Sequence, residues 1–69
     1  MEAVVLIGDT LKRLRTEHAL TQEELAANAG LTTAAVARIE RNEANPRPST
    51  LRKLAQALEV EPSELVRGK

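Results

Sequence analysis

Apolar residues recur along this chain at helical spacing, and short amphipathic stretches follow from them. Ile7, Leu11 and Leu14 fall at i, i+4 and i+7, one face of a helix, with Lys12, Arg13 and Glu17 opposite. The spacing predicts a first helix from about Gly8 to Glu17 or His18. Ala19 and Leu20 make a short connection. Thr21 then stands three residues before Glu24, the Thr-x-x-Glu pattern of a capping box. Glu23 and Glu24 suit the positive end of the helix dipole. The second helix turns Leu25, Ala26 and Ala29 inward and stops at Gly30, which takes the left-handed conformation readily.

Thr32 is the next cap. A third helix runs from Thr33 to about Arg41 with Val36 and Ile39 inward, and Asn42 is a left-handed stop. Asn45-Pro46-Arg47-Pro48 reads as loop, because each proline pushes the residue before it towards extended backbone. Ser49 is then the expected cap of a fourth helix, where Leu51, Leu54, Ala55 and Leu58 form one stripe. Pro62 opens a short fifth helix anchored by Leu65, and Val60 plugs the join. There is no internal repeat, low-complexity tract or linker.

Composition supports this pattern. The chain has 69 residues, 42% of them apolar, with no Phe, Trp, Tyr or Cys. Ala, Leu, Arg, Glu and Lys dominate, and all are good helix formers. The fold class is all-α. One core of this size is worth roughly 3–5 kcal/mol net, so the helices must pack well or find a partner. Without cysteine there is no disulfide, zinc–thiolate site or thiol nucleophile, and one His cannot build a metal cluster. No cofactor and no metal is expected. The carboxylate pairs Glu23/Glu24, Glu40/Glu43 and Glu61/Glu64 lie at helix ends or on exposed faces without His or Tyr nearby, so an enzyme is not expected either. The longest apolar run, Ala3 to Ile7, is far short of the roughly 20 residues that span a bilayer. It has no basic region before it and no cleavage site after it, so the expected location is cytoplasmic and not membrane-bound.

Ten Lys and Arg balance ten Asp and Glu. Zero net charge alone weighs against a nucleic-acid partner. Placement weighs the other way. Arg38, Arg41, Arg47, Arg52 and Lys53 fall in one stretch against only Glu40 and Glu43, while Glu59, Glu61 and Glu64 make the C-terminal part acidic.

The stretch from Thr21 to Glu40 carries the most information. Two short helices are joined by a tight turn at Gly30, and small Ala26 and Ala29 let them approach closely. A second helix held this way exposes its first turn, and an α-helix fits the major groove of B-DNA. Here the chain resembles the phage Cro/C1-type repressors, the XRE group of bacterial helix-turn-helix regulators. The resemblance rests on TQEELAANAGLTTAAVARIER followed by NPRPSTLRKLAQAL and covers about Ile7 to Val66. It implies a compact five-helix lambda-repressor-like DNA-binding domain over residues 7–66, flanked by an apolar arm (1–6) and a tail (67–69).

The resemblance also implies residue roles. Thr33, Ala34, Ala37 and Arg38 match the base-facing positions of the recognition helix. The two alanines offer only apolar contact to a thymine methyl. Arg38 is the one long donor, suited to guanine O6 and N7. A helix with one strong hydrogen-bonder leans on DNA shape for part of its specificity. Gln22, Thr32, Arg41, Arg47, Ser49, Thr50 and Lys53 match positions that touch phosphate or the site edge. Arg15 and Glu40 match a buried structural ion pair. Two departures stand out: Glu59 occupies the place where a Gly usually ends the fourth helix, and the core is aliphatic throughout.

The resemblance implies a transcriptional regulator, a repressor, binding double-stranded DNA as a homodimer on a palindromic operator. The N-terminal arm or the fifth helix is the expected dimer contact. The competing reading is an antitoxin-like module whose main partner is a protein, a toxin or co-regulator.

Overall fold

Among the described residues five helices form, in the order α1 (Ile7–Glu17), α2 (Gln22–Ala29), α3 (Thr33–Glu40), α4 (Pro48–Ala57) and α5 (Pro62–Arg67). The computed structural model describes residues 7–67, and among these there is no strand. The expected apolar arm, residues 1–6, lies outside the described residues, as do positions 68 and 69.

The helical stripes converge on one aliphatic core. Leu11, Leu25, Leu54, Leu58, Leu65 and Val36 are fully buried, and Leu14, Ile39, Ala26, Ala29 and Ala55 close around them. Ile7, Leu20, Leu31, Leu51 and Val60 pack on its edge, half-buried. Helix α1 rests on α3 and α5, α2 on α3 and α4, and α4 on α5. The alanines at 26 and 29 leave no bulk between neighbouring helices.

Each of the first four helices ends in the same way. One residue turns left-handed and the next amide bonds back five residues. The left-handed residues are Ala19 (φ 56°), Gly30 (φ 72°), Asn42 (φ 61°) and Glu59 (φ 58°). The closing bonds run from Leu20 N to Arg15 O at 3.1 Å, Leu31 N to Ala26 O at 2.8 Å, Glu43 N to Arg38 O at 2.9 Å and Val60 N to Ala55 O at 3.0 Å. This is the Schellman closure, which satisfies carbonyls that the helix end leaves orphaned. Three of the four closures follow it with a residue packed on the core: Leu20, Leu31 and Val60. Gly30 and Asn42 behave as their chemistry predicts, whereas Ala19 and Glu59 adopt a conformation that disfavours a side chain.

Two sequence expectations need correction. Helix α4 begins at Pro48, not after Ser49, and its N-cap is Arg47 with no side-chain cap bond. Pro48 sits at N1, where its missing N–H would be unpaired anyway and its fixed φ suits the helix. Arg47 is extended (φ −71°, ψ 161°), as a residue before proline should be. Helix α3 ends at Glu40, one residue early, and Arg41 caps it.

The start of α1 holds a constraint that hydrophobic spacing does not reveal. A Cβ on Gly8 would collide with the Ile39 carbonyl oxygen and lie 2.7 Å from that of Glu40. The Gly8 amide donates to Asn42 Oδ1 at 3.0 Å. Asn42 thus ends α3 with its backbone and caps α1 with its side chain. Gly8→Ala should lower stability by roughly 1–3 kcal/mol, because backbone rather than a flexible side chain must give way. Glu59→Gly should do the reverse, adding about 0.5–1 kcal/mol by relieving the left-handed penalty. Thermal unfolding of the two variants against the parent checks both signs.

Candidate nucleic-acid interface

The interface is built on the α2–turn–α3 unit. Thr21 Oγ1 accepts from the Glu24 amide at 3.0 Å, and Glu24 Oε1 accepts from the Thr21 amide at 2.9 Å. Both halves of the capping box are present, so α2 starts at Gln22 without fraying. Gly30 turns the chain, and Thr32 Oγ1 accepts from the Ala35 amide at 3.1 Å to start α3. This bond uses the Thr32 oxygen as acceptor and leaves its O–H proton to donate.

Helix α3 is then divided by burial. Val36, Ile39 and Glu40 face the core, while Thr33, Ala34 and Arg38 are exposed and Ala37 is half-buried. All four base-facing candidates therefore lie off the core side of the helix. Arg47, Ser49 and Lys53 are exposed at the start of α4, and Thr50 is half-buried. Arg38, Arg47 and Thr50 line one groove of about 260 Å³, floored by Leu31, Ala35, Ile39, Ala44 and Pro46. Ala35 leaves this groove open. The structure thus brings together a candidate base reader and two candidate phosphate contacts that are distant in sequence.

Beneath this surface lies the Arg15–Glu40 pair. Arg15 Nε donates to Glu40 Oε2 at 2.6 Å and Nη2 donates to Oε1 at 3.1 Å. The side chains are 14% and 3% exposed. The hydrogen bonds to Glu40, opposed by partial burial and aided by its charge, raise the Arg15 pKa above its ordinary value. The third nitrogen, Nη1, donates to the Leu20 carbonyl at 2.8 Å. One guanidinium thereby ties α1, the α1–α2 junction and the end of α3 together.

Gln22 differs from its simplest reading as a free polar residue. It is half-buried, and its Nε2 donates to Glu40 Oε1 at 3.0 Å. Arg41 is also engaged: Nε and Nη2 each reach a Glu43 oxygen at 3.0 Å. These bonds, then the charges of Arg41 and more weakly Arg38, hold the Glu43 carboxyl below the usual carboxylate range. The pair is exposed, and exposed pairs exchange partners at little cost. His18 is an exposed residue at the end of α1, its Nδ1 2.9 Å from the Leu14 carbonyl. The expected contact residues are not all near one another: Gln22 sits at the Glu40 end of α3, opposite its exposed first turn.

Two capped helices joined through a left-handed glycine, the second exposing one face, define a helix-turn-helix protein. The family described as Helix-turn-helix matches residues 11–65. An uncharacterized HTH-type transcriptional regulator of Sinorhizobium fredii, y4dJ, is 44% identical over 66 residues, covering 96% of this chain and 86% of the relative. The immunity repressor protein of Bacillus phage phi105 is 42% identical over 60 residues, covering 87% of this chain and 42% of that longer protein. The crystal structure of the P22 c2 repressor in complex with a synthetic operator superposes with a TM-score of 0.85 at 27% identity, covering 91% of this chain and 96% of that one. The chain belongs to the helix-turn-helix family of transcriptional regulators that includes the Cro/C1-type repressors. Members of this family regulate transcription and are not enzymes.

Arg15→Met should cost several kcal/mol, of order 3–5, because it strands the Glu40 carboxylate in the interior. Arg15→Met combined with Glu40→Leu should recover most of that loss. Chemical denaturation of Arg15→Met, Glu40→Leu and the double variant tests this: a double loss equal to the sum of the two single losses would mean that the pair is not acting as a unit.

Proposed function

We propose that this chain is a sequence-specific repressor that binds double-stranded DNA in the cytoplasm, as a homodimer on a palindromic operator. Residues 7–66 are its DNA-binding unit. The observation that carries this reading is the exposed face of α3, with Arg38 beside Arg47 and Thr50 in one groove. Helix α3 enters the major groove. Thr33, Ala34 and Ala37 supply a small, mostly apolar surface against base edges, and Arg38 pairs with a guanine. The α4 start clamps the backbone with Arg47, Ser49, Thr50 and Lys53. No side chain caps α4, so its first N–H groups remain available to a phosphate. Gln22, Thr32 and Arg41 reach phosphate or the edge of the site, Arg41 by exchanging Glu43 for it.

The two half-sites lie about 34 Å apart, one helical turn, with one subunit on each. Among the described residues Val66 on α5 is the large apolar side chain left exposed, at 42%, which supports the fifth helix as the dimer contact. The DNA complex of the P22 c2 repressor, a relative of the same fold, supports the docking.

Selection from randomised duplexes at physiological salt tests the reading. The expected result is a palindrome with guanines at fixed symmetric positions. Binding should weaken with salt along a log–log slope of about −6, from three or four phosphates per subunit. Arg38→Ala should weaken binding to that palindrome by about 1–3 kcal/mol and relax the guanine preference. No enrichment, or a flat salt response, would contradict the proposal.

A further inference from the structure

The pair of Arg15 and Glu40 has more partners than a structural strut needs. Glu40 Oε1 accepts from Arg15 Nη2 and also from Gln22 Nε2 at 3.0 Å. Arg15 Nη1 holds the Leu20 carbonyl, two residues before Gln22. The backbone entering α2 and the side chain of its first residue are thus both referenced to one buried ion pair. We propose that Glu40 is a positioning residue for Gln22, fixing its amide for contact with DNA, so that what Gln22 contributes to binding depends on Glu40. This rests on the DNA-binding reading above.

The chemistry sets the sense of the amide. An ionised carboxylate only accepts, so the NH₂ of Gln22 must face Glu40. The reverse orientation would set the amide oxygen against a carboxylate oxygen. Two arginine nitrogens already donate to the same carboxylate. One N–H of Gln22 is therefore spent inward, and its carbonyl oxygen and remaining N–H are left for the ligand. A free surface glutamine has three rotatable side-chain bonds to order on binding. Gln22 has had them ordered by the fold, an advantage of about three- to tenfold in affinity.

The test is a double-mutant cycle in DNA affinity. Gln22→Met removes the amide at nearly constant shape. Arg15→Met with Glu40→Leu replaces the pair by apolar side chains. Fluorescence anisotropy on the selected duplex compares the parent, each change and both together. Gln22→Met should weaken binding about fivefold in the parent and less than about twofold without the pair. A purely structural pair would shift the unfolding midpoint and leave the Gln22 factor unchanged. Equal factors in both backgrounds, or no effect of Gln22→Met in a parent that still binds with steep salt dependence, would overturn the inference. A parent that binds no duplex would instead overturn the DNA-binding reading, and this inference with it. NMR of the free parent chain serves if the pair replacement does not fold. The Gln22 side-chain amide protons should exchange well below the rate of a free glutamine, and exchange at the free rate would overturn the inference.

Discussion

A buried carboxylate must be compensated, and in this chain the compensation of Glu40 organises the molecule. The last residue of α3 carries a charge into the interior, and Arg15 crosses from α1 to meet it with two hydrogen bonds. The same guanidinium reaches the Leu20 carbonyl, so the junction leading into α2 is fixed by the same interaction. Hydrophobic burial supplies most of the free energy of so small a domain, but aliphatic side chains are permissive about register. The ion pair is not permissive. Its two-pronged geometry selects one placement of α3 against α1, and the exposed face of α3 follows from that placement. Gln22, bonded to the same carboxylate, brings the edge of the surface under the same control.

The close approach of α1 to α3 is the second requirement. Gly8 lets the α1 backbone lie against the Ile39 and Glu40 carbonyls, and Asn42 secures it there. Asn42 ends α3 with its backbone and caps α1 with its side chain, so one residue fixes both helices where they meet. The strain accepted at Ala19 and Glu59 is the cost of compact joins that return Leu20 and Val60 to the core.

Much of this fold is legible in the sequence because helix stripes and caps are local signals. Spacing alone places Leu11, Leu14, Val36, Ile39, Leu54 and Leu58 inward, and they are buried, while Ile7 and Leu51 on the same stripes are half-buried at the core edge. The Thr21–Glu24 box and the Gly30 stop are also local and are observed. The start of α4 is not fixed by local pattern, because Pro48 is ambiguous. It opposes a helix before it yet suits the first position of one. The packing role of Gly8 and its bond to Asn42 depend on a contact across 34 residues, which no local pattern encodes. The site divides similarly. The exposure of Thr33, Ala34 and Arg38 follows from the period of α3, and the Arg15–Glu40 pair was legible through the family resemblance. The engagement of Gln22 by Glu40 depends on the tertiary fold. That of Arg41 by Glu43 is a local choice among several partners for an exposed arginine.

In the proposed complex one surface, formed by the start of α2, the exposed face of α3 and the start of α4, meets DNA, while α5 does not. Amide chemical-shift mapping tests it most directly, by titrating isotopically labelled chain with the selected duplex. The largest changes are expected at Gln22, Thr32–Arg38 and Arg47–Lys53, with the Pro62–Val66 segment shifting only as far as dimerisation requires. Changes centred on α5 and the Glu59–Glu64 region, with the α3 face unmoved, would contradict it.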